Sequence, residues 1–478
     1  MRRRRKIKIV ATLGPSSNTA ETIEQLFRAG ADIFRINMSH TSHEAMRTLV
    51  GTIRDIESAH DRPVGVLADL QGPKLRIGNF EGESVELERG QTFVLDSDAS
   101  PGNRERVSLP HPEIFAALEP GHSVLLNDGR VRLKVLEAHA DRAVTEVVGG
   151  RRLSDRKGVS LPETMLRSSA LTEKDRRDLD AALAAEADWI ALSFIQRPDD
   201  ISEARKIVQG RAGIMAKIEK PQALQRLDEI LDLSDGIMVA RGDLGVEMPL
   251  EAVPGVQKRI TRMARRAGKP VVVATQMLES MISAPVPTRA EVSDVATAVF
   301  EGADAVMLSA ESAAGEYPVE AVETMNRIAE AVERDPLFPT IIQAQRPDPE
   351  STGADTITAA ARQIGETLEL AAIVCYTSSG STGIRASRER PAVPVIALSP
   401  VRRTARRLSV IWGLHCVVTE DAHDIDEMVD RACSIAFREG FASPGQRIII
   451  TAGVPFGTPG ATNLLRIAFI GPDGMSGV

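Results

Sequence analysis

Aromatic side chains make up only 3% of this 478-residue chain, with two tryptophans and two tyrosines among them. That leaves few platforms on which nucleobases could stack, and a net charge of -8 adds repulsion toward a phosphate backbone. Both argue against nucleic-acid binding. Cysteine is scarce too. Cys375, Cys416 and Cys433 stand far apart in apolar surroundings, too scattered for a metal motif or a disulfide framework, which predicts a reducing, cytoplasmic setting. No apolar run is long enough to span a bilayer, so a membrane role is not expected. The opening MRRRRK has no apolar stretch behind it and passes directly into KIVATLG. It reads as a solvated basic terminus rather than a targeting signal.

What is present is the composition of an ordinary globular protein, 43% hydrophobic and 26% charged, at a length that suits about three domains. Short apolar runs recur at 7–13, 33–37, 64–70, 189–194, 214–219, 237–241, 271–277 and 305–309, with helical patterns such as 170–187 and 253–267 between them. Several share an entry signature, a turn and then Asp before the strand: RAGADIFRIN, AEADWIALSF, LSDGIMVAR and EGADAVMLS. Eight helix–turn–strand units with continuously apolar strands predict a parallel (β/α)8 barrel. Chemistry in such barrels sits at the carboxyl ends of the strands, which here hold Arg35, Asn37, Asp69, Lys217, Glu219, Asp243, Thr275 and Ser309.

The stretch Gly213–Glu247 carries the most information. Lys217 and Glu219 are two apart on a strand, so they leave the same face. The next strand ends in Arg241-Gly242-Asp243-Leu244-Gly245, where glycines let a ligand approach the backbone and a helix start offers free amides. A lysine, two carboxylates and an amide-lined corner suit a divalent metal and a phosphate, with the ammonium left for transferred charge. The plainer reading is a buried Lys–Glu pair beside an ordinary turn.

Between about Arg76 and Lys157 the alternation stops, and β-type fragments separated by turns predict an inserted all-β module of residues 76–157, placed to act as a lid. The barrel then comprises 1–75 and 158–343. After Ile342 the polar QAQRPDPEST reads as a linker, and helix–strand alternation from 344 to 478 predicts a separate α/β domain.

The segments KIVATLGPSS, FRINMSH, AKIEK, GIMVARGDLGVE, ATQMLESM, PTRAEVSDVATAV and SAESAAGEYP resemble those of the pyruvate kinase family over essentially the whole chain. The resemblance implies a (β/α)8 barrel with a small β-barrel lid and a C-terminal regulatory domain. It implies phosphoryl transfer from phosphoenolpyruvate to ADP in glycolysis, with Mg2+ (or Mn2+) required. On it, Lys217 stabilises the phosphoryl group in flight, Glu219 and Asp243 hold the metal, Gly242, Asp243 and Thr275 cradle the substrate carboxylate, and Arg35 grips its phosphate. Thr275 and Ser309 are both candidates for the enolate-protonating relay. Pro15, Asn37, His40, Arg76 and Lys157 match positions near the ADP phosphates.

One departure stands out. The family's K+ site keeps Asn37, Ser39 and Asp69, but Leu70 follows the acid and Lys74 stands where a glutamate is usual. An ammonium there replaces the monovalent cation, so activity without K+ is expected. The hydroxyl-rich turn Thr377-Ser378-Ser379-Gly380-Ser381-Thr382 matches the family's effector loop for a phosphorylated allosteric ligand. The nearby Arg402, Arg403, Arg406 and Arg407 either assist it or form a solvated helix face. A homotetramer follows from the resemblance, with PVPTRAE near a barrel–barrel contact. The competing functions are another barrel enzyme acting on phosphoenolpyruvate or pyruvate enolates, and a non-catalytic effector-binding pseudoenzyme.

Overall fold

The computed structural model describes residues 2–166, 169–455 and 462–477. Eight parallel strands close into a barrel: β1 (Lys8–Leu13), β2 (Ile33–Asn37), β3 (Gly65–Asp69), β4 (Trp189–Leu192), β5 (Gly213–Ile218), β6 (Gly236–Ala240), β7 (Val271–Ala274) and β8 (Ala305–Leu308). Each strand pairs with its sequence neighbours, and β1 closes on β8 through Lys8↔Ala305 to Ala11↔Leu308. Nearly every strand residue is buried because helices cover the outside while Val10, Leu67, Met215, Met238, Val272 and Met307 fill the inside. The covering helices start where capping chemistry dictates. Thr172 caps Glu173–Ala184 in a reciprocal box with Asp175, and Thr288 caps Arg289–Phe300 with Glu291.

The repeated entry aspartates share one structural task. Asp32, Asp188, Asp235 and Asp304 stand just before β2, β4, β6 and β8. Each accepts the backbone N–H of the preceding strand: Ile9 on β1 at 3.1 Å, Val66 on β3 at 2.9 Å, Ile214 on β5 at 2.8 Å and Val271 on β7 at 3.1 Å. The amino-terminal rim is therefore clipped at four places by one device.

Two of the N-terminal arginines depart from the sequence expectation. Arg2 and Arg4 are exposed as expected, but Arg3 and Arg5 are not, and Arg5 is only 3% exposed. Arg3 Nε, Arg5 Nη1 and Arg62 Nη2 reach Asp32 at 3.3, 2.8 and 3.2 Å, so the basic run seals the barrel floor around a buried carboxylate.

Between β3 and β4 the chain builds the lid. A six-stranded sheet and the ribbon formed by Ser84–Glu86 and Arg152–Ser154 pack on one core that includes Phe93, Leu109, Phe115 and Val131. The last lid strand is Val159–Ser160, paired with Ser123–Leu126. The lid rests on two adjacent chain segments, bridged at Arg76 and Gly158.

After helix Leu337–Ala344, the C-terminal part carries a six-stranded sheet. Strands Ala372–Tyr376, Val395–Ser399, Leu414–Val418 and Arg447–Gly453 run parallel, followed by Thr462–Ile470 antiparallel and the short Ser476–Gly477 antiparallel at the edge. The three cysteines there are free and buried. Helix Arg402–Leu408 docks this sheet on the barrel through ion pairs of two of its arginines and a hydrogen bond from a third. Arg402 and Arg406 leave the neighbouring Thr377–Thr382 turn and reach Glu57 of the barrel at 3.3 and 2.9 Å, while Arg407 donates to Gly210 O. Arg402 and Arg403 remain exposed, so the helix is part dock and part solvated face.

Candidate active site

The carboxyl ends of the strands converge around Asp69, the last residue of β3. It is 1% exposed and pairs on one side with the Arg35 guanidinium, at 2.7 Å from Nε and 2.6 Å from Nη2. On the other side Lys217 Nζ lies at 3.2 Å. Period-two alternation puts Arg35 and Asn37 on one face of β2, and Lys217 and Glu219 on one face at the end of β5. The register that sets Asn37 beside Asp69, and Asp69 beside Ala191, brings their ends to one height.

Lys217 Nζ is 2.9 Å from Glu219 Oε1 and donates to Ser193 Oγ at 2.8 Å. Ser193 in turn donates to Leu70 O at 2.7 Å. Burial opposes the ammonium, but Asp69 and Glu219 outweigh it and hold Lys217 above the usual lysine range. Burial also lifts Asp69, yet Lys217 and Arg35 overcome it and keep that carboxyl low. Glu219 settles the other way. Its burial, with the nearby charge of Asp243, pushes it up to about 7 despite Lys217 and the Phe194 N–H that donates to it at 2.7 Å.

Asp243 lies in the first turn of the short helix Arg241–Glu247 and is exposed toward the mouth. Glu219 and Asp243 thus leave surplus negative charge that a divalent cation would neutralise. Among the described residues no group of three or more His, Cys, Asp or Glu converges as a cage. Two protein oxygens with the remaining positions left to substrate and water is the habit of Mg2+ sites, so the residues fit the metal. A buried ion pair of Lys220 and Glu247 fastens the end of β5 to this helix, and with it the spacing of the two acids.

Thr275 has a left-handed backbone, φ +69°, and Gln276 follows at +55°. For a β-branched residue this costs on the order of 1–3 kcal/mol. Arg241 holds the strained peptide by donating to Thr275 O at 2.7 Å while pairing with Asp294 at 2.6 Å. The strain aims the Thr275 hydroxyl at the Gly242 N–H, which donates to it at 2.7 Å. Ser309 precedes the helical turn Ala310–Ala313 and donates its N–H to Glu311 Oε2 at 2.7 Å; the other oxygen of Glu311 accepts from Leu278 N at 3.2 Å.

Not every expected residue joins this cluster. Asn37 Oδ1 accepts from Ser39 N at 3.1 Å, and His40 and Pro15 are exposed on the same rim. Arg76 and Lys157 sit together on the lid stalk, where Ile77 N donates to Lys157 O at 3.0 Å and Arg76 Nη1 to Arg156 O at 2.6 Å. Neither is in an ion pair with the Lys217 cluster. Lys74 is exposed, and the cations against Asp69 are Arg35 and Lys217. In the C-terminal part, Gly380 at φ +95° closes the turn by donating its N–H to Thr377 Oγ1 at 2.8 Å, and Thr382 Oγ1 lies 2.8 Å from Thr462 Oγ1. Three contributors were not expected from sequence: Ser193, which orients Lys217; Thr12, which accepts from Arg35 Nη1 at 3.1 Å; and the buried Glu311. Ser193 and Thr12 also lie at strand ends, which was the only signal available for them.

A closed parallel barrel whose mouth sets an ammonium and a guanidinium against acids defines the class: a barrel phosphotransferase that works with a divalent metal. Comparison with known proteins is specific. Residues 4–322 match the model "Pyruvate kinase, barrel domain", and residues 355–468 match "Pyruvate kinase, alpha/beta domain". A pyruvate kinase of Methylorubrum extorquens is 66% identical over 470 residues, covering 98% of both chains. One from Agrobacterium vitis is 48% identical, again over 98% of each. The crystal structure of a pyruvate kinase from Cryptosporidium parvum superposes with a TM-score of 0.92 at 34% identity, covering 97% of this chain and 96% of its own. The chain belongs to the pyruvate kinase family, the phosphotransferases of that step of glycolysis.

Proposed function

We propose that this chain moves the phosphoryl group of phosphoenolpyruvate to ADP through the Asp69-centred cluster. The observation that carries the reading is Lys217 Nζ, held within 3.2 Å of both Asp69 and Glu219 and kept charged by them. Phosphoryl transfer asks for alignment and charge neutralisation more than covalent help. Arg35, fixed by Asp69 and Thr12, presents a guanidinium fork to the substrate phosphate. Gly242, Asp243 and the Thr275 hydroxyl receive the carboxylate. Lys217 meets the charge of the phosphoryl group between donor and acceptor oxygens. Glu219 and Asp243 would hold Mg2+, or Mn2+, which neutralises phosphate oxygens when bound. Thr275 or Ser309 relays a proton to the enolate carbon. Pro15, Asn37 and His40 at the rim, with Arg76 and Lys157 on the stalk, bind the ADP phosphates as the lid comes down.

The division into barrel (1–75 and 158–343), lid (76–157) and C-terminal domain (344–478) serves this reading, the lid sheet running on to Ser160. We take Thr377–Thr382 as the site for a phosphorylated effector, the cytoplasm as the setting, and a homotetramer as the assembly. The exposed Lys74 leaves room for its ammonium to swing toward Asn37, Ser39 and Asp69 in the closed enzyme and replace K+.

The test is ADP-dependent pyruvate formation with Mg2+ in tetramethylammonium buffer. Full activity without K+ is expected, and Lys74→Glu should make activity rise with added K+. A parent enzyme that is dead until K+ is supplied contradicts the reading of Lys74. Pyruvate release that ignores ADP would favour another phosphoenolpyruvate barrel enzyme instead.

A further inference from the structure

A second cationic site lies away from the barrel mouth, against the helix Val253–Arg266 that follows β6. This helix carries Lys258, Arg259, Arg262, Arg265 and Arg266 within nine positions. Among the described residues Arg259, Arg262 and Arg266 are in no ion pair, and Lys258 pairs with Glu301 at 3.3 Å. Arg262 and Arg266 form one wall of a crevice of about 320 Å³ whose other wall is the linker residues Ala344–Pro347. That volume lies at the small end of small-molecule sites.

Behind the crevice, in the wall of a separate tight cavity with Asp304, Arg388 and Arg390, lies Arg265, which is 3% exposed. Its Nη1 donates to Gln345 Oε1 at 2.9 Å, but its Nε and Nη2 are buried without a hydrogen-bond partner. Arg346 across the crevice also has a buried Nη2 with no hydrogen bond; its nearest carboxylate is Glu366 at 4.0 Å. Burial and then Arg390 push the Arg265 guanidinium down to about 9, with Asp304 opposing and Arg346 and Arg262 adding to the fall. Asp304 is itself occupied by Arg390 at 3.1 Å and by the Val271 N–H. Buried guanidinium donors without an acceptor are costly, and several converging cations leave a multivalent oxyanion as the natural complement.

We propose that this crevice binds a phosphate-type dianion, held by Arg262, Arg266 and Arg346 and giving the unpartnered Nη2 of Arg346 its acceptor. No aromatic side chain lines it, so recognition rests on the phosphoryl group rather than on a stacked base. The site is separate from the substrate cluster, and its test needs no turnover.

The measurement is calorimetric titration of the full-length chain in metal-free buffer with pyrophosphate and, separately, with glucose 6-phosphate. The parent is compared with the doubly substituted Arg262→Ala/Arg266→Ala chain. Anion binding at the barrel mouth and at the Thr377–Thr382 turn is common to both proteins and cancels. The parent should show one further site, weakened at least tenfold in the double variant, with phosphotransfer turnover unchanged. Pyrophosphate alone filling that site identifies an inorganic ligand, and filling by glucose 6-phosphate identifies an ester. Arg346→Met should likewise lose that site's share of the anion-induced rise in melting temperature. Superposable titrations of the parent and the double variant with both anions overturn the proposal.

Discussion

Two buried aspartates, Asp32 and Asp69, sit at opposite ends of the same barrel and teach different lessons. At the floor, Asp32 accepts from Arg3, Arg5, Arg62 and the Ile9 amide. Burial alone would lift its carboxyl, but Arg5, Arg3, Lys8 and Arg62 together hold it far below the usual range. Nothing is left over. At the mouth, Asp69 has two cations, and one of them, Lys217, is shared with Glu219, which burial and Asp243 push up to about 7. The floor is electrostatically finished, whereas the mouth keeps charge in reserve for a metal and a phosphate. Similar side chains become structure at one end and chemistry at the other according to how many donors surround each acid.

That contrast can be broken in graded steps. Lys217→Met should lower turnover by on the order of 10³-fold or more while leaving the melting profile close to that of the parent. A collapse of the fold instead would show that the mouth is structural like the floor. Asp32→Asn should do the reverse. It leaves Arg3, Arg5 and Arg62 short of their counter-ion and should cost about 3–5 kcal/mol of unfolding free energy, with turnover per folded molecule preserved.

Glu219 sharpens the comparison through pH. Its folded pKa is about 7 against an ordinary value of 4.5, so in the metal-free chain the folded state holds a proton that the unfolded state has lost between those values. This group's contribution to stability is therefore fully present below pH 4.5 and declines as pH rises to about 7. Divalent metal must displace that proton. Calorimetry in buffers of different ionisation enthalpy should find close to one proton released per metal at pH 5.5 and almost none at pH 8.5. Equal release at both would place the Glu219 carboxyl low, like Asp32. The smallest effect is expected from Ser193→Ala, which removes one hydrogen bond to the Lys217 ammonium and should reduce turnover about tenfold or somewhat more, with Ser193→Thr restoring part of it.

Much of the mouth was legible because its chemistry is written locally. Lys217 and Glu219 are two residues apart, Asp243 follows in a glycine-flanked turn, and alternation dictates that paired side chains share a face. The barrel was legible for a similar reason, since eight apolar runs with a repeated aspartate entry admit few other arrangements. What escaped was long-range. Asp69 could be placed at a strand end, but its position between Arg35 and Lys217 depends on the offset of β2, β3 and β5, which no local pattern encodes. Ser193 and Thr12 are single hydroxyls of a kind found throughout the chain. Arg3 and Arg5 looked solvated because a charged run is usually so, and Asp32 and Glu333, which tie down that terminus, lie about 27 and 327 residues away from their partners Arg5 and Lys6. Arg402 and Arg406 face Glu57, 345 and 349 residues distant.

The four aspartate clips on the amino-terminal rim bear on how such a protein can change over evolutionary time. Because every second strand is bolted to its predecessor on the side remote from the reacting groups, loops on the working side can lengthen, shorten or swap residues without loosening the staves. An insertion as large as the lid is borne between β3 and β4, whose amino ends Asp188 keeps joined through Val66. Chemical novelty on this scaffold is thereby uncoupled from the fasteners that keep it closed.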